Sequence, residues 1–138
     1  MSFEQYQQKL YQIQQLNSIS ALLSWDMEVM MPLGSDRNFR ADQSSLINGL
    51  VHERSTSADL ESLVDNLLTD NSISESQKQE LAITKKKILK SKKLNKDFVQ
   101  KESKLTSEAY SIWEQAKEAS SFKTFQPALE KIVDLLTL

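Results

Sequence analysis

Phe3, Tyr6, Leu10, Ile13 and Leu16 recur at the spacing of one helix face, and Ile19, Leu22 and Leu23 extend the stripe. Ser2 and Gln5 stand before it at the spacing of a capping box, so a helix is predicted to start there and to run to about Val29. Met30-Met31-Pro32 ends it, because a proline ring pushes the preceding residue out of the helical region, and Gly34 lets the chain turn. A second helix is predicted from Ser35 or Asp36 to about Glu53. Its buried positions would be Phe39, Leu46, Ile47 and Leu50, with Arg37, Arg40 and Gln43 on other faces and Gly49 weakening it slightly.

Thr56 with Asp59 predicts the cap of a third helix carrying Leu60, Leu63, Val64, Leu67 and Leu68, ended by the polar stretch Thr69-Asp70-Asn71-Ser72. Ser74 with Gln77 is a second capping box, opening a helix through Leu81, Ile83, Ile88 and Leu89 to near Lys93. A fifth helix is expected from Asn95 to about Ala119, with Phe98, Leu105, Ala109, Ile112, Trp113 and Ala116 as its apolar positions. Pro127 is expected in the first turn of a sixth, where a missing amide costs nothing, ahead of Leu129, Ile132, Val133, Leu135 and Leu136. Leu138 closes the chain without a helix stop signal, so the sequence reads as cut in mid-helix and its catalytic region as absent.

Composition sharpens this picture. Two glycines and two prolines in 138 residues compare with roughly a dozen or more for average usage, and sheets and tight turns consume those residues. The expectation is an all-α fold of about six helices in an antiparallel, bundle-like array, forming a single N-terminal domain over 1–138. With 39% hydrophobic and 26% charged residues the chain can build a core. A net charge of -2 argues against a polyanionic or polycationic partner, and the lack of cysteine excludes disulfides and thiolate chemistry. No signal peptide or membrane span is read, and the cytoplasm is the default location.

Candidate chemistry is sparse. The one histidine stands in His52-Glu53-Arg54-Ser55-Thr56, where a zinc-peptidase HExxH motif needs a second histidine at the fifth position. One imidazole does not make a zinc site or a nucleophile triad, so His52 reads as structural. Asp26 and Glu28 lie two apart and point to different sides of a helix, which suits hydrogen bonding at a helix end better than paired acid and base work. Trp25 beside them reads as core. Lys85, Lys86, Lys87, Lys90, Lys92 and Lys93 form the strongest charge run, interrupted by Ile88 and Leu89 as core contacts, and read as a solvated face without the aromatics of a nucleic-acid interface.

Two stretches carry a resemblance. The segment from Ala21 to Gly34 holds Trp25-Asp26-Met27-Glu28 and Met31-Pro32-Leu33-Gly34. It is followed by Arg37, Arg40, Gln43, Leu46 and Leu50-Val51-His52-Glu53-Arg54, and it resembles the N-terminal region of the carboxypeptidase Taq family of metallocarboxypeptidases. Leu105 to Ala109, Trp113, Ala116-Lys117, Phe122, Phe125, Pro127, Leu129 and Glu130 to Val133 are similar to the family's later signature. Met27, Val29 and Leu33 depart from it, and family members are several times longer, with HExxH beyond the point where this sequence stops.

The resemblance implies a metal-dependent exopeptidase that removes C-terminal residues from peptides, in a two-lobed helical body around a long groove. This chain would be its non-catalytic N-terminal part, a lid or groove wall, inactive alone. No catalytic or metal-ligating residue is carried over. Trp25, Asp26, Glu28, Pro32, Gly34, Arg37, Arg40, Gln43, His52, Trp113 and Pro127 are the positions with a structural or groove role. Zinc or cobalt is expected in the full-length parent and no cofactor in this chain. The expected partners are the remainder of the parent, a peptide substrate and a second copy in a homodimer, with neither nucleic acid nor membrane. The rival reading is a free-standing helical interaction module, and a weaker third is an anion-binding protein using the lysine run.

Overall fold

Ser2 opens the first helix with a reciprocal cap: Gln5 N donates to Ser2 Oγ at 3.2 Å and Ser2 N donates to Gln5 Oε1 at 2.9 Å. The computed structural model describes residues 2–137; Leu138, and with it the last apolar position of the sequence, lies outside them. Six α-helices follow in order: α1 Phe3–Trp25, α2 Asn38–Ser55, α3 Ala58–Leu68, α4 Glu75–Ser91, α5 Lys96–Glu118 and α6 Phe122–Leu136. No strand occurs among the described residues, and the all-α class holds.

Several boundaries differ from expectation for identifiable reasons. The first helix does reach Met30, but its last turn, Asp26–Met30, is a π-turn closed by Met31 N donating to Asp26 O at 2.9 Å. α2 starts at Asn38 rather than Ser35 or Asp36, because the Asp36 carboxylate accepts from Asn38 N at 3.0 Å and holds a turn ahead of the helix. The cap of α3 is Ser57, not Thr56: Ser57 Oγ accepts from Leu60 N at 3.2 Å, while the Thr56 hydroxyl donates back to His52 O at 2.8 Å and finishes α2. α6 begins at Phe122, which leaves Pro127 inside the helix instead of in its first turn.

Polar contacts give the topology. Arg40 meets Asp26 and Ser20 meets Asn48, so α1 and α2 are antiparallel. Asn48 meets Ser103 and Arg37 meets Glu114, so α5 runs antiparallel to α2. Lys85 of α4 reaches Glu61 and Asp65 of α3, which form a second hairpin beside the N-terminal half of α1. α6 packs chiefly on α5.

Apolar burial is divided between two regions. Tyr6, Leu60, Leu63, Val64, Leu67, Leu81 and Ile88 form the large-residue core where α1, α3 and α4 meet. The Tyr6 hydroxyl, 2.8 Å from Thr84 Oγ1, is satisfied inside that core, and burial pushes its pKa up. The α2–α5–α6 side instead buries mainly small residues, Ala41, Ser44, Gly49, Ser103, Ala109, Ala116 and Ala128, together with Leu135 of α6. Close helix approach on small side chains explains why several predicted core positions face out. Phe39 and Leu46 of α2 are exposed, and Ile47 and Leu50 are only half-buried; on α4, where Leu81 and Ile88 take the inner face, Ile83 and Leu89 are exposed as well. Arg37, expected on a face other than the buried stripe, is itself buried.

Candidate functional site

Trp25, Asp26, Glu28, Pro32, Gly34, Arg37, Arg40 and Gln43 converge on one corner, where α1 turns into α2. The corner is shaped by a change of helical pitch. A π-turn leaves carbonyls that an α-helix would have used, and such turns recur at functional sites. Arg40, on the first turn of α2, ties this turn down: its Nη1 donates to Asp26 Oδ2 at 2.5 Å and to Leu23 O at 3.3 Å, which also accepts from Asp26 N, while its Nε donates to Gln43 Oε1 at 2.9 Å. Pro32 O then accepts from Ser35 N at 3.2 Å, closing a turn whose third position requires positive φ; Gly34 supplies it at φ 84°.

Arg37 joins this corner to α5. Its Nη2 donates to Met31 O at 2.7 Å and its Nη1 to the Glu114 carboxylate. Arg37 Nε and Ser111 Oγ, one turn before Glu114, are buried without hydrogen-bond partners, and both side chains line a cleft of about 400 Å³ with Asp36 and Glu108. On the same stretch of α5, the Tyr110 and Trp113 rings meet at a tilt of 42° with centroids 5.6 Å apart, and Lys117 Nζ lies 5.1 Å from the centre of the Trp113 ring. Loss of solvent raises the Tyr110 pKa, and the carboxylates of Glu114 and Glu28 raise it further against the opposing charge of Arg37.

Trp25 does not join a core. It is 54% exposed, with Leu22, Val29, Met30, Leu33 and Phe39 also exposed around the corner, because the π-turn buries Met27 in its place. Trp113 is partly exposed on α5. Two singled-out residues lie elsewhere: His52 near the far end of α2, and Pro127 on α6. Glu114 and the Met31 carbonyl were invisible to sequence reasoning, since neither side-chain type nor spacing marks them as Arg37 acceptors.

The histidine does not build a metal centre. Its neighbour Glu53 pairs with Lys96 at 2.5 Å, and among the described residues no group of three or more His, Asp or Glu side chains could hold an ion. The residues present therefore do not fit the metal of a metallopeptidase. The lysine run divides: half-buried Lys85 pairs with Glu61 and Asp65 and exposed Lys92 pairs with Glu61, whereas Lys86, Lys87, Lys90 and Lys93 are exposed and make no ion pair among the described residues. No helix is long and apolar enough to cross a membrane among the described residues.

This arrangement of helices is that of a helical metallocarboxypeptidase fold. It matches the solved M32 carboxypeptidase from Deinococcus radiodurans R1 with a TM-score of 0.70 and 30% identity, over 96% of this chain and 27% of that one. The chain belongs to the carboxypeptidase Taq (M32) metallopeptidase family, whose pattern matches residues 5–137. Thermostable carboxypeptidase 1 of Pyrococcus furiosus is 27% identical over 127 residues, 92% of this chain and 25% of that protein. Carboxypeptidase 1 of Bacillus subtilis is 27% identical over 126 residues, again covering 25% of its length. The chain thus spans about a quarter of the relatives it matches.

Proposed function

We propose that this chain is the non-catalytic N-terminal helical domain of a metal-dependent carboxypeptidase, forming part of the lid or wall of the groove that admits peptide C-termini. The observation that carries the reading is the clamped corner. Arg40 and Arg37 hold the π-turn against α2 and α5, and the turn presents Trp25, Val29 and Met30 outward as a rigid apolar face. A pinned backbone with exposed aromatic and aliphatic side chains suits contact with a substrate or with the enzyme body. The water-activating ion, zinc or cobalt, would be held by ligands supplied from elsewhere, because no set of ligands is assembled among the described residues.

Two measurements test this. The purified chain, incubated with peptides and added zinc or cobalt, is expected to release no C-terminal residues; sustained release would overturn the reading. Grafted in place of the matching quarter of the Bacillus subtilis relative, the chain should support hydrolysis. Trp25→Ala in that chimera should raise KM about three- to tenfold with kcat nearly unchanged, as loss of a uniform binding contact does. An unchanged KM in a folded, active chimera would remove the groove-wall role.

A further inference from the structure

Arg37 gives two of its nitrogens to protein acceptors, Nη1 to the Glu114 carboxylate and Nη2 to Met31 O, but its Nε–H finds no partner among the described residues. The residue is 7% exposed, so water does not readily make up the bond. Ser111 Oγ, on α5, is enclosed and unpaired in the same way. Native folds leave few buried polar groups unsatisfied, and each exception calls for a reason. Both side chains line the cleft of about 400 Å³ at the start of α2, a volume within the roughly 300–1,000 Å³ of small-molecule sites.

The lining carries both signs of charge. Three features favour a negative group: the Arg37 Nε–H, the Ser111 hydroxyl and the N-terminal end of α2, an 18-residue helix with no side-chain cap and no acidic residue in its first turn. Asp36 and Glu108 in the same cleft repel a simple anion. Asp36 accepts from Asn38 N through Oδ1 at 3.0 Å, and Glu108 is met only at 3.9 Å by Lys104, which pairs more closely with Asp42 at 2.6 Å. Both carboxylates thus keep capacity for an ammonium group. A simple cation would in turn be repelled by Arg37, whereas a molecule holding both charges a few bonds apart satisfies each side. We propose that this cleft binds a free α-amino acid with an aliphatic side chain. Its carboxylate accepts from Arg37 Nε and the Ser111 hydroxyl, its ammonium donates to Asp36 and Glu108, and its side chain lies against Ile112, the apolar member of the lining. Asn38 and Gln115, exposed at the rim, have room to yield as the carboxylate reaches the two enclosed atoms. The inference stands apart from the groove-wall reading, since its test uses this chain alone and follows no hydrolysis.

Chemical-shift titration of the isotope-labelled chain tests it with three probes: L-leucine, 4-methylpentanoate, which lacks the amine, and 3-methylbutylamine, which lacks the carboxylate. L-Leucine should shift the amide signals of residues 35–38 and 108–115 saturably, with a Kd of about 0.1–1 mM, and each half-ligand should bind about tenfold more weakly or worse. Ser111→Ala removes an unpaired buried hydroxyl, so it should leave the melting temperature unchanged or higher while weakening L-leucine about three- to tenfold. Asp36→Asn keeps an acceptor for Asn38 N and should weaken L-leucine by a similar factor. A Ser111→Ala protein that is no less stable yet binds less separates a lost ligand contact from a lost structure. The absence of saturable shifts up to about 50 mM overturns the proposal, as does a half-ligand that binds as tightly as L-leucine. An affinity untouched by Ser111→Ala or by Asp36→Asn overturns it as well.

Discussion

Arg37 keeps a guanidinium almost out of water because three groups share its cost: the Met31 carbonyl, the Glu114 carboxylate and the walls of α2 and α5. Removing it strands Glu114 in a largely dry seam. Arg37→Ala is therefore expected to lower stability by about 3 kcal/mol, the lower end for a broken buried pair, since Glu114 keeps 20% exposure. Arg40→Ala should cost clearly less, because Asp26 is 39% exposed and regains water. Urea titrations of both variants check the order, and equal losses would contradict it. The sequence presented Arg37 and Arg40 alike, as cations on faces other than the apolar stripe. Only the π-turn, which swings Met31 O toward α2, separates a buried anchor from a surface clamp.

Helix α2 illustrates how an element's inner face can be misread. Its large residues, Phe39 and Leu46, looked like the core stripe, yet Ala41, Ser44 and Gly49 are the ones buried. Two helices, α1 and α5, approach it closely, and close approach selects small side chains over large ones. Gly49 is a case in point: a Cβ built there would lie 2.5–2.7 Å from the Gln100 side chain. Alanine in a helix is favoured over glycine by about 1 kcal/mol. Gly49→Ala should nonetheless lower the melting temperature, whereas the same change in a Gln100→Ala background should raise it. Thermal melts of the four proteins in that cycle decide the matter; a stabilising Gly49→Ala in the unaltered background would show that Gln100 yields freely.

Across the chain, the α3–α4 hairpin is tied by Glu61, which accepts from Lys85 at 3.0 Å and also pairs with Lys92. These two ammonium groups hold the Glu61 carboxyl below the usual glutamate range, the Lys92 bond first and the Lys85 bond second. A carboxyl depressed in the folded state binds protons less readily than in the unfolded state. Its contribution is complete above the ordinary glutamate value, about 4.3, and is lost as pH falls through the depressed one. The melting temperature should drop through this window, and Glu61→Gln should lower it at neutral pH and make the acid drop shallower, so that the two proteins converge at low pH. An unaltered acid limb would mean that other carboxylates set it.

The order of six helices, their caps at Ser2, Ser74 and Asn95, and the large-residue core around Leu60, Leu63 and Leu67 were legible in the chain. Local hydrogen-bonding chemistry and a 3.6-residue apolar period depend on near neighbours alone. The motif residues from Trp25 to Gln43 were legible as a group. Their roles were not: burial of Arg37, exposure of Trp25, the partnership with Glu114 and the small-residue seam of α2 with α5 depend on which helices come together and how closely. Those contacts join residues up to 77 positions apart, and no local periodicity encodes a distance that folding alone creates.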